Sequence, residues 1–262
     1  MALEQTAFEI TAALTDTARA CAPDGVSSEL SDYDQLLGFL IKIPSLTPIE
    51  AVEAYFAGGR DDAARLVGVL QQLNLRGGNK KILEFASGYG RVTRHLKRLL
   101  CENIFSASDI HPAACATIRT GMGVPAYVSS TVPEDLDIPG QQDFVFALSL
   151  FSHLPLETQG RWLKRLYGLL AQGGHLMFTT HGDHAMRKQR EFFTANFDPK
   201  VGFGYRSESD QLDLSSDDYG TAVVTMPFIY NLVNEFVPDA EIVSFRSSSW
   251  FDLQDEWIIK KP

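Results

Sequence analysis

Two periods of hydrophobic residues alternate along the chain from about residue 80 onward. Short apolar runs end at Glu84, Asp109, Val128 and Ser149, and a fifth follows the glycine pair at 173–174. Between these runs, apolar residues recur three or four positions apart, which is the spacing of an amphipathic helix. Strands that alternate with helices predict an α/β fold with a doubly wound, mostly parallel sheet that is covered on both faces.

Residues 1–78 show only the helical period. We predict helices near 8–18, 32–41, 47–56 and 61–75, the third of them ended by the glycine pair at 58–59. Thr47, Pro48 and Glu50 have the spacing of an N-cap, a proline at the first helical position and a glutamate at the third. The sequence therefore predicts an N-terminal helical cap over 1–78 and a larger domain over 79–262.

The segment after the fifth strand is less regular. We predict a helix within 187–193, loops at 202–205 and 215–220, a strand at 221–225 and a helix over 226–236. Runs at 241–245 and 257–260 predict a terminal antiparallel hairpin with a long loop. We interpret residues 183–220 as an insertion that recognises the substrate.

A turn of small residues follows the first strand. Glu84 ends the apolar run, and the segment Phe85-Ala86-Ser87-Gly88-Tyr89-Gly90 leads into a helical pattern with apolar residues at 92 and 96. A strand, a tight turn and a helix bring backbone amides to a ligand at the carboxyl end of the strand. The glycine spacing does not fit the dinucleotide fingerprint G-x-G-x-x-G, because the third glycine is missing.

This turn resembles the E-x-G-x-G-x-G motif of class I S-adenosylmethionine-dependent methyltransferases, with Ala86 in the place of the first glycine. Asp109, 25 residues after Glu84, matches the acidic residue that follows the second strand in that family. Residues 143–182 resemble the family's later segment, with His153-Leu154-Pro155 after the fourth strand. The resemblance covers residues 80–182 and implies a Rossmann-like fold, methyltransferase activity and S-adenosylmethionine as cofactor.

The resemblance also implies which residues contact the cofactor. Asp109 is expected to accept hydrogen bonds from the ribose hydroxyls, although it can also cap the following helix, and Ile110 is expected to pack on the adenine. Ser130 takes the position of an acidic residue that contacts the adenine amino group in the family, and Glu134 or Asp135 can substitute for it. The full expected set is Glu84, Phe85, Ala86, Ser87, Gly88, Gly90, Asp109, Ile110, Ser130, Leu148 and Ser149.

Composition and charge limit the kinds of binding partner and location that are expected for this protein. A formal net charge of −10 disfavours nucleic acid, because phosphate binding needs a basic surface. The three cysteines show no CxxC spacing, which favours reduced thiols over a disulfide framework or a zinc site, and we see no other metal-ligand set. No stretch has the charge pattern of a signal peptide or the length of a membrane span, so we expect a cytoplasmic protein. The oligomeric state stays open.

Transfer to a hydroxyl acceptor needs a base, since an alcohol is a weak nucleophile at neutral pH. His153 and His181 follow the fourth and fifth strands and are our candidates, with His181 preferred because Gly182 leaves room for a substrate. If neither acts, Tyr205, Glu208 and Asp210 in the insertion are the next candidates.

The Asn-Pro-Pro-Tyr motif of many amino-group methyltransferases is absent after the fourth strand. A small-molecule, glycan or lipid-linked acceptor is therefore expected. Two alternatives stay open, namely a non-catalytic relative that binds the cofactor or a partner protein and, less favoured, a nicotinamide-dependent oxidoreductase.

Overall fold

The computed structural model describes residues 7–208, 214–215 and 218–262. By their internal contacts these residues form two units, one ending at Ser129 and the other comprising Ser130–Pro262. The sequence-based boundary at residue 78 stays a prediction. The main sheet is mostly parallel, with an antiparallel hairpin at one edge, as the sequence predicts. Among the described residues, no helix combines the length and the apolarity needed to span a bilayer.

The first unit begins with α1 (Ala12–Cys21), α2 (Gln35–Ile41) and α3 (Pro48–Gln72). The predicted capping box is confirmed, because the Thr47 side chain accepts from the Glu50 N–H and the Glu50 carboxylate accepts from the Thr47 N–H. Leu14, Leu37, Val52 and Phe56 are among the residues that form the core between these helices.

The predicted helix break at Gly58-Gly59 is wrong, since α3 continues through both residues. A glycine inside a helix costs only about 1 kcal/mol relative to alanine, which a long packed helix tolerates. The two glycines serve close packing instead. A Cβ on Gly59 would lie 2.3 Å from the carbonyl oxygen of Arg91, and one on Gly58 would lie 3.0 Å from the Arg91 guanidinium.

The parallel strands of the first unit are β1 (Lys81–Phe85), β2 (Ile104–Asp109) and β3 (Ala126–Val128), and β1 and β3 both pair with β2. The connecting helices are α4 (Thr93–Leu99) and α5 (Pro112–Met122). The register places Phe85 opposite Ser108, so that the last residues of β1 and β2 lie side by side. The predicted strand ends at Glu84 and Asp109 agree with these bounds to one residue.

The second unit contains β4 (Gln142–Ala147), α6 (Leu156–Gly168) and β5 (Leu170–His181), and it ends with β9 (Glu241–Trp250) and β10 (Gln254–Lys260). β10 pairs antiparallel with both β5 and β9. The hairpin is confirmed, but its long loop is wrong. Both strands continue toward the turn, where Trp250 pairs with Gln254, and Trp250 and residues 254–259 are buried.

Between β5 and β9 lie α7 (Asp183–Lys188), α8 (Arg190–Thr194), β6 (Phe197–Asp198), β7 (Phe203–Arg206), β8 (Thr221–Val224) and α9 (Met226–Phe236). β6, β7 and β8 form a separate antiparallel sheet. The predicted loop at 202–205 is therefore wrong. Phe203 and Gly204 are buried, and their backbone groups pair with Val224 and Val223, which a short segment containing two glycines does not reveal.

Candidate functional site

The turn between β1 and α4 contains three residues in left-handed backbone conformation. Ala86, Gly88 and Gly90 have φ angles of 59°, 54° and 77°. The backbone N–H and the hydroxyl of Ser87 both donate to the Ser108 carbonyl oxygen, at 3.0 and 3.2 Å, which ties the turn to the end of β2. Such a chain of unusual backbone conformations is held by its surroundings and is typical of a ligand-binding turn.

The left-handed conformation of Ala86 explains why a glycine suits this position. An L-residue in this region carries about 1–2 kcal/mol of steric strain, which a glycine relieves. Part of that relief is offset, because glycine makes the unfolded chain more flexible and so favours unfolding. We expect Ala86→Gly to raise the free energy of unfolding by about 0.5–1 kcal/mol in urea titrations. The control Ala116→Gly, on the exposed face of α5, should lower it by about 1 kcal/mol. A lower free energy of unfolding in Ala86→Gly would contradict the claim that Ala86 is strained.

Gly88 and Gly90 differ in what surrounds them. A Cβ on Gly88 would meet no atom of the described residues within 4 Å, so the space beside this residue is open. A Cβ on Gly90 would lie 2.6 Å from Cε of Met122 and 3.2 Å from Ile118, so this glycine permits close packing of α5. Of the two, Gly88 offers a ligand access to the main chain.

Asp109 holds the turn through its side chain. Its Oδ2 accepts the backbone N–H of Gly88 at 2.7 Å, and its Oδ1 accepts the N–H of His111 at 3.0 Å. The ring Nδ1 of His111 lies 2.9 Å from the same Oδ1. The carboxylate thus contacts both the turn and His111, which is the N-cap residue of α5 in place of Asp109. The contact of Asp109 with a ribose stays a prediction. Each carboxylate oxygen accepts about two hydrogen bonds, so Oδ2 retains capacity for a hydroxyl donor.

Glu84 lies deeper than the sequence suggested. The residue is 4% exposed, and its carboxyl group accepts a hydrogen bond from the hydroxyl of Thr93 at 2.7 Å. Burial raises the pKa of Glu84 to about 8, against the opposing effect of the Thr93 hydrogen bond. Phe85 is buried and Ile110 is half-buried. Glu84 therefore braces the start of α4 directly, and its predicted contact with a ligand stays a prediction.

In the second unit, His153 is held by Gly220, the residue before β8, and His181 is held by β8 itself. Nδ1 of His153 lies 2.6 Å from the carbonyl oxygen of Gly220, and Nδ1 of His181 lies 3.0 Å from that of Ala222. Since a carbonyl only accepts, each Nδ1 carries the proton and each Nε2 is the basic nitrogen. The ring centroids are 6.2 Å apart, and His153 stacks on Tyr219 at 4.5 Å.

Gln254, at the start of β10, organises the surroundings of His181. Its Oε1 accepts the hydroxyl of Thr179 at 2.7 Å, and its Nε2 donates to the hydroxyls of Ser149 and Ser152 at 2.7 and 3.3 Å. The same Nε2 lies 3.4 Å from Nε2 of His181. Sequence reasoning missed Gln254, Thr179 and Ser152, although polar residues within apolar strand patterns are a signal for such a network.

Burial lowers the pKa of His181 to about 4, with a smaller contribution from His153, so its ring is neutral at pH 7. A general base works best when its pKa lies near the working pH, which makes His181 a weak base in this state. His153 is half-buried and keeps its own fixed tautomer.

The other candidate residues are distributed over the second unit. The Ser130 hydroxyl accepts the N–H of Val132 at 3.0 Å and so caps the next turn. Leu148 is half-buried, and Ser149 has a left-handed φ of 58° with its N–H donated to Thr179. Tyr205 lies on β7, and Glu208 pairs with Arg206. Asp210 lies outside the described residues.

Comparison with known proteins identifies the central segment. Residues 83–176 match a family model described as a methyltransferase domain, and this range includes the turn, Asp109 and His153. The prediction of a methyltransferase domain is thereby confirmed for this segment. Among curated proteins, none matches the sequence significantly.

Several solved structures share the fold at low sequence identity. Magnesium protoporphyrin IX methyltransferase from Synechocystis PCC 6803, crystallised with S-adenosylhomocysteine, is 13% identical over 88% of this chain and 97% of its own, with a TM-score of 0.58. An amino pentose methyltransferase from Micromonospora echinaspora with bound S-adenosylmethionine is 13% identical over 80% and 96%, with a TM-score of 0.55. An S-adenosylmethionine-dependent methyltransferase from Clostridium acetobutylicum is 13% identical over 78% and 91%, at 0.54.

Proposed function

We propose that this chain, a class I methyltransferase by its central domain and its fold, uses S-adenosylmethionine to methylate a hydroxyl group of a small-molecule or glycan acceptor. The observation that carries the proposal is the left-handed turn at 86–90, whose Gly88 N–H is held by the Asp109 carboxylate. The main chain at Gly88 is accessible to a ligand, and the carboxylate of Asp109 lies beside it. This arrangement fits a ligand with vicinal hydroxyls, such as the ribose of an adenosine group.

When bound, S-adenosylmethionine supplies a methyl group on a sulfonium, which is both electrophile and leaving group. The residues of this chain then have to hold the ligand and place the acceptor. Asp109 would hold the ribose through Oδ2, and Gly88 would admit the ligand to the main chain. Ala86, Ser87 and Gly90 maintain the turn.

His153 is the better candidate for the base. Its Nδ1–H is donated to Gly220, so Nε2 has the lone pair that takes a proton from a hydroxyl. The low pKa of His181 and the approach of its Nε2 to the Gln254 amide support a positioning role for this ring instead. This reverses the preference drawn from sequence, and both roles are proposals.

A sugar-type acceptor is supported by one of the structures with the same fold, which is an amino pentose methyltransferase. The acidic total charge of the chain favours a neutral or cationic acceptor over a nucleic acid. A cytoplasmic location remains part of the proposal.

Mass analysis tests the acceptor class, after the protein is incubated with S-adenosylmethionine and a panel of sugars, phenols and amines. We expect a hydroxyl compound to gain about 14 Da, because a methyl group replaces a hydrogen. A gain only on amines would contradict O-methylation.

We expect Asp109→Ala to weaken binding of S-adenosylhomocysteine by roughly 10- to 150-fold in titration calorimetry. The loss of a hydrogen bond to a charged group costs about 1.5–3 kcal/mol, and each 1.4 kcal/mol is a factor of ten. The control Asp16→Ala removes an exposed acidic residue of α1 and should leave binding unchanged. Binding of a folded Asp109→Ala variant within twofold of wild type would show that the carboxylate does not hold the ligand.

A further inference from the structure

Arg94, on α4, is a buried cation that neither the motif nor the proposed chemistry explains. Its side chain is only 2% exposed. On one side, Nε donates to the carbonyl oxygen of Gly90 at 3.0 Å and Nη2 donates to that of Tyr89 at 3.2 Å. On the other side, Nη1 donates to the carbonyl oxygens of Ser27 and Glu29, at 3.1 and 3.0 Å. One guanidinium therefore joins the turn at 86–90 to the loop between α1 and α2.

The N-terminal helices enclose the same guanidinium. Its central carbon lies 5.3 Å from the ring centroid of Tyr55 and 5.0 Å from that of Phe56, both on α3, which are cation–π distances. The Tyr55 hydroxyl donates to Oδ2 of Asp34 at 2.6 Å, while Oδ1 of Asp34 accepts the N–H groups of Leu36 and Leu37 at the start of α2. A displacement of Arg94 would therefore affect α2, α3 and the turn together.

The form of this contact is specific for arginine. Its planar fork points separate N–H groups toward four carbonyl oxygens, whereas a lysine has one nitrogen with three donors. Stability alone does not explain a buried cation, because well-packed apolar residues of similar volume often stabilise a fold as much or more. The four carbonyls come from two chain segments more than 55 residues apart, which points to a function in holding these segments together.

We propose that Arg94 is a positioning residue for cofactor binding, which couples the turn at 86–90 to the N-terminal segment at 27–34. The proposal rests on the proposed function, because it requires the turn to hold the cofactor. Binding at the turn then stabilises the N-terminal segment, and by linkage the ordered segment strengthens binding. Arg94 acts through the carbonyl groups of Tyr89 and Gly90 and needs no contact of its own with the ligand.

The first test measures binding of S-adenosylhomocysteine to Arg94→Lys by titration calorimetry. We expect the Kd to rise about tenfold, in the usual range of coupling between sites. Arg98→Lys makes the same change on the exposed face of α4 and should bind like wild type. Binding by Arg94→Lys within twofold of wild type overturns the proposal.

The second test needs no variant and decides the matter if Arg94→Lys does not fold. Hydrogen exchange of the wild-type protein is followed with and without S-adenosylhomocysteine. We expect the ligand to slow amide exchange at 86–90 and also at 28–34. Protection of the turn alone, with unchanged exchange at 28–34, contradicts the coupling. A wild-type protein that binds no S-adenosylhomocysteine contradicts the proposed function itself, which separates the two failures.

Discussion

Replacing Gly88 by valine should abolish binding of S-adenosylhomocysteine in a protein that still folds. Gly88 has a φ of 54°, which a β-branched residue adopts only with strain, and the side chain would enter the open space beside the main chain. The Asp109 carboxylate also binds the N–H of this residue, so a shift of the backbone here would disturb that contact as well. Titration calorimetry should detect no binding, which means a loss of at least about 100-fold, or 2.7 kcal/mol.

Gly123 provides the matched control. It has a φ of 62°, ends α5, and likewise meets no atom of the described residues within 4 Å of a built Cβ. Gly123→Val therefore introduces the same backbone strain at a position outside the turn. We expect it to lose stability to a similar degree and to keep its affinity for S-adenosylhomocysteine. If Gly88→Val binds as well as Gly123→Val, the turn does not hold the cofactor.

Changing His153 to alanine should lower turnover by about 10²–10⁴-fold while the affinity for S-adenosylhomocysteine stays unchanged. The reason is that Nε2 of His153 is the proposed acceptor of the hydroxyl proton, whereas the cofactor turn lies elsewhere in the sequence. The measurement is single-turnover methyl transfer to the acceptor that mass analysis identifies. His181→Ala is the comparison, and it should lose less activity, because that ring is proposed to position β8 through Ala222.

The pH dependence separates the two histidines further. Burial depresses the pKa of His181 to about 4, so this ring stays neutral from neutral pH down to about pH 4. If His181 were the base, the acid limb of the pH–rate profile would lie near that value and would vanish in His181→Ala. We expect instead an acid limb that vanishes in His153→Ala. Near-wild-type turnover in both variants would mean that proximity alone drives transfer or that another residue is the base.

The parts of the site that are local in sequence could be predicted. The strand, turn and helix around Glu84 and Gly88 follow from an apolar run, small residues and helical spacing within about fifteen positions. The carboxylate of Asp109 could be placed because parallel strands end at the same edge of a sheet. The structure adds what Asp109 binds, namely the N–H of Gly88. It also shows that Gly90 combines a φ of 77° with close packing against Met122.

The parts that depend on distant contacts could not be predicted. Gln254 meets Ser149 across 105 positions, and the contacts of Arg94 with residues 27 and 29 span 67 and 65. The spacing of hydrophobic residues along the sequence gives no information about pairs so far apart. The predicted helix end at Gly58-Gly59 is wrong for a related reason, because Gly59 packs against the backbone of Arg91, a residue distant in sequence. Tertiary packing decided each of these cases.

The central claim is that the turn at 86–90 and Asp109 form a site for S-adenosylmethionine. Titration calorimetry of the wild-type protein with S-adenosylhomocysteine and, separately, with NADH tests it most directly. We expect saturable one-to-one binding of S-adenosylhomocysteine, lost in Gly88→Val, and no heat of binding with NADH. Binding of NADH, or no binding of S-adenosylhomocysteine by folded protein, would contradict it.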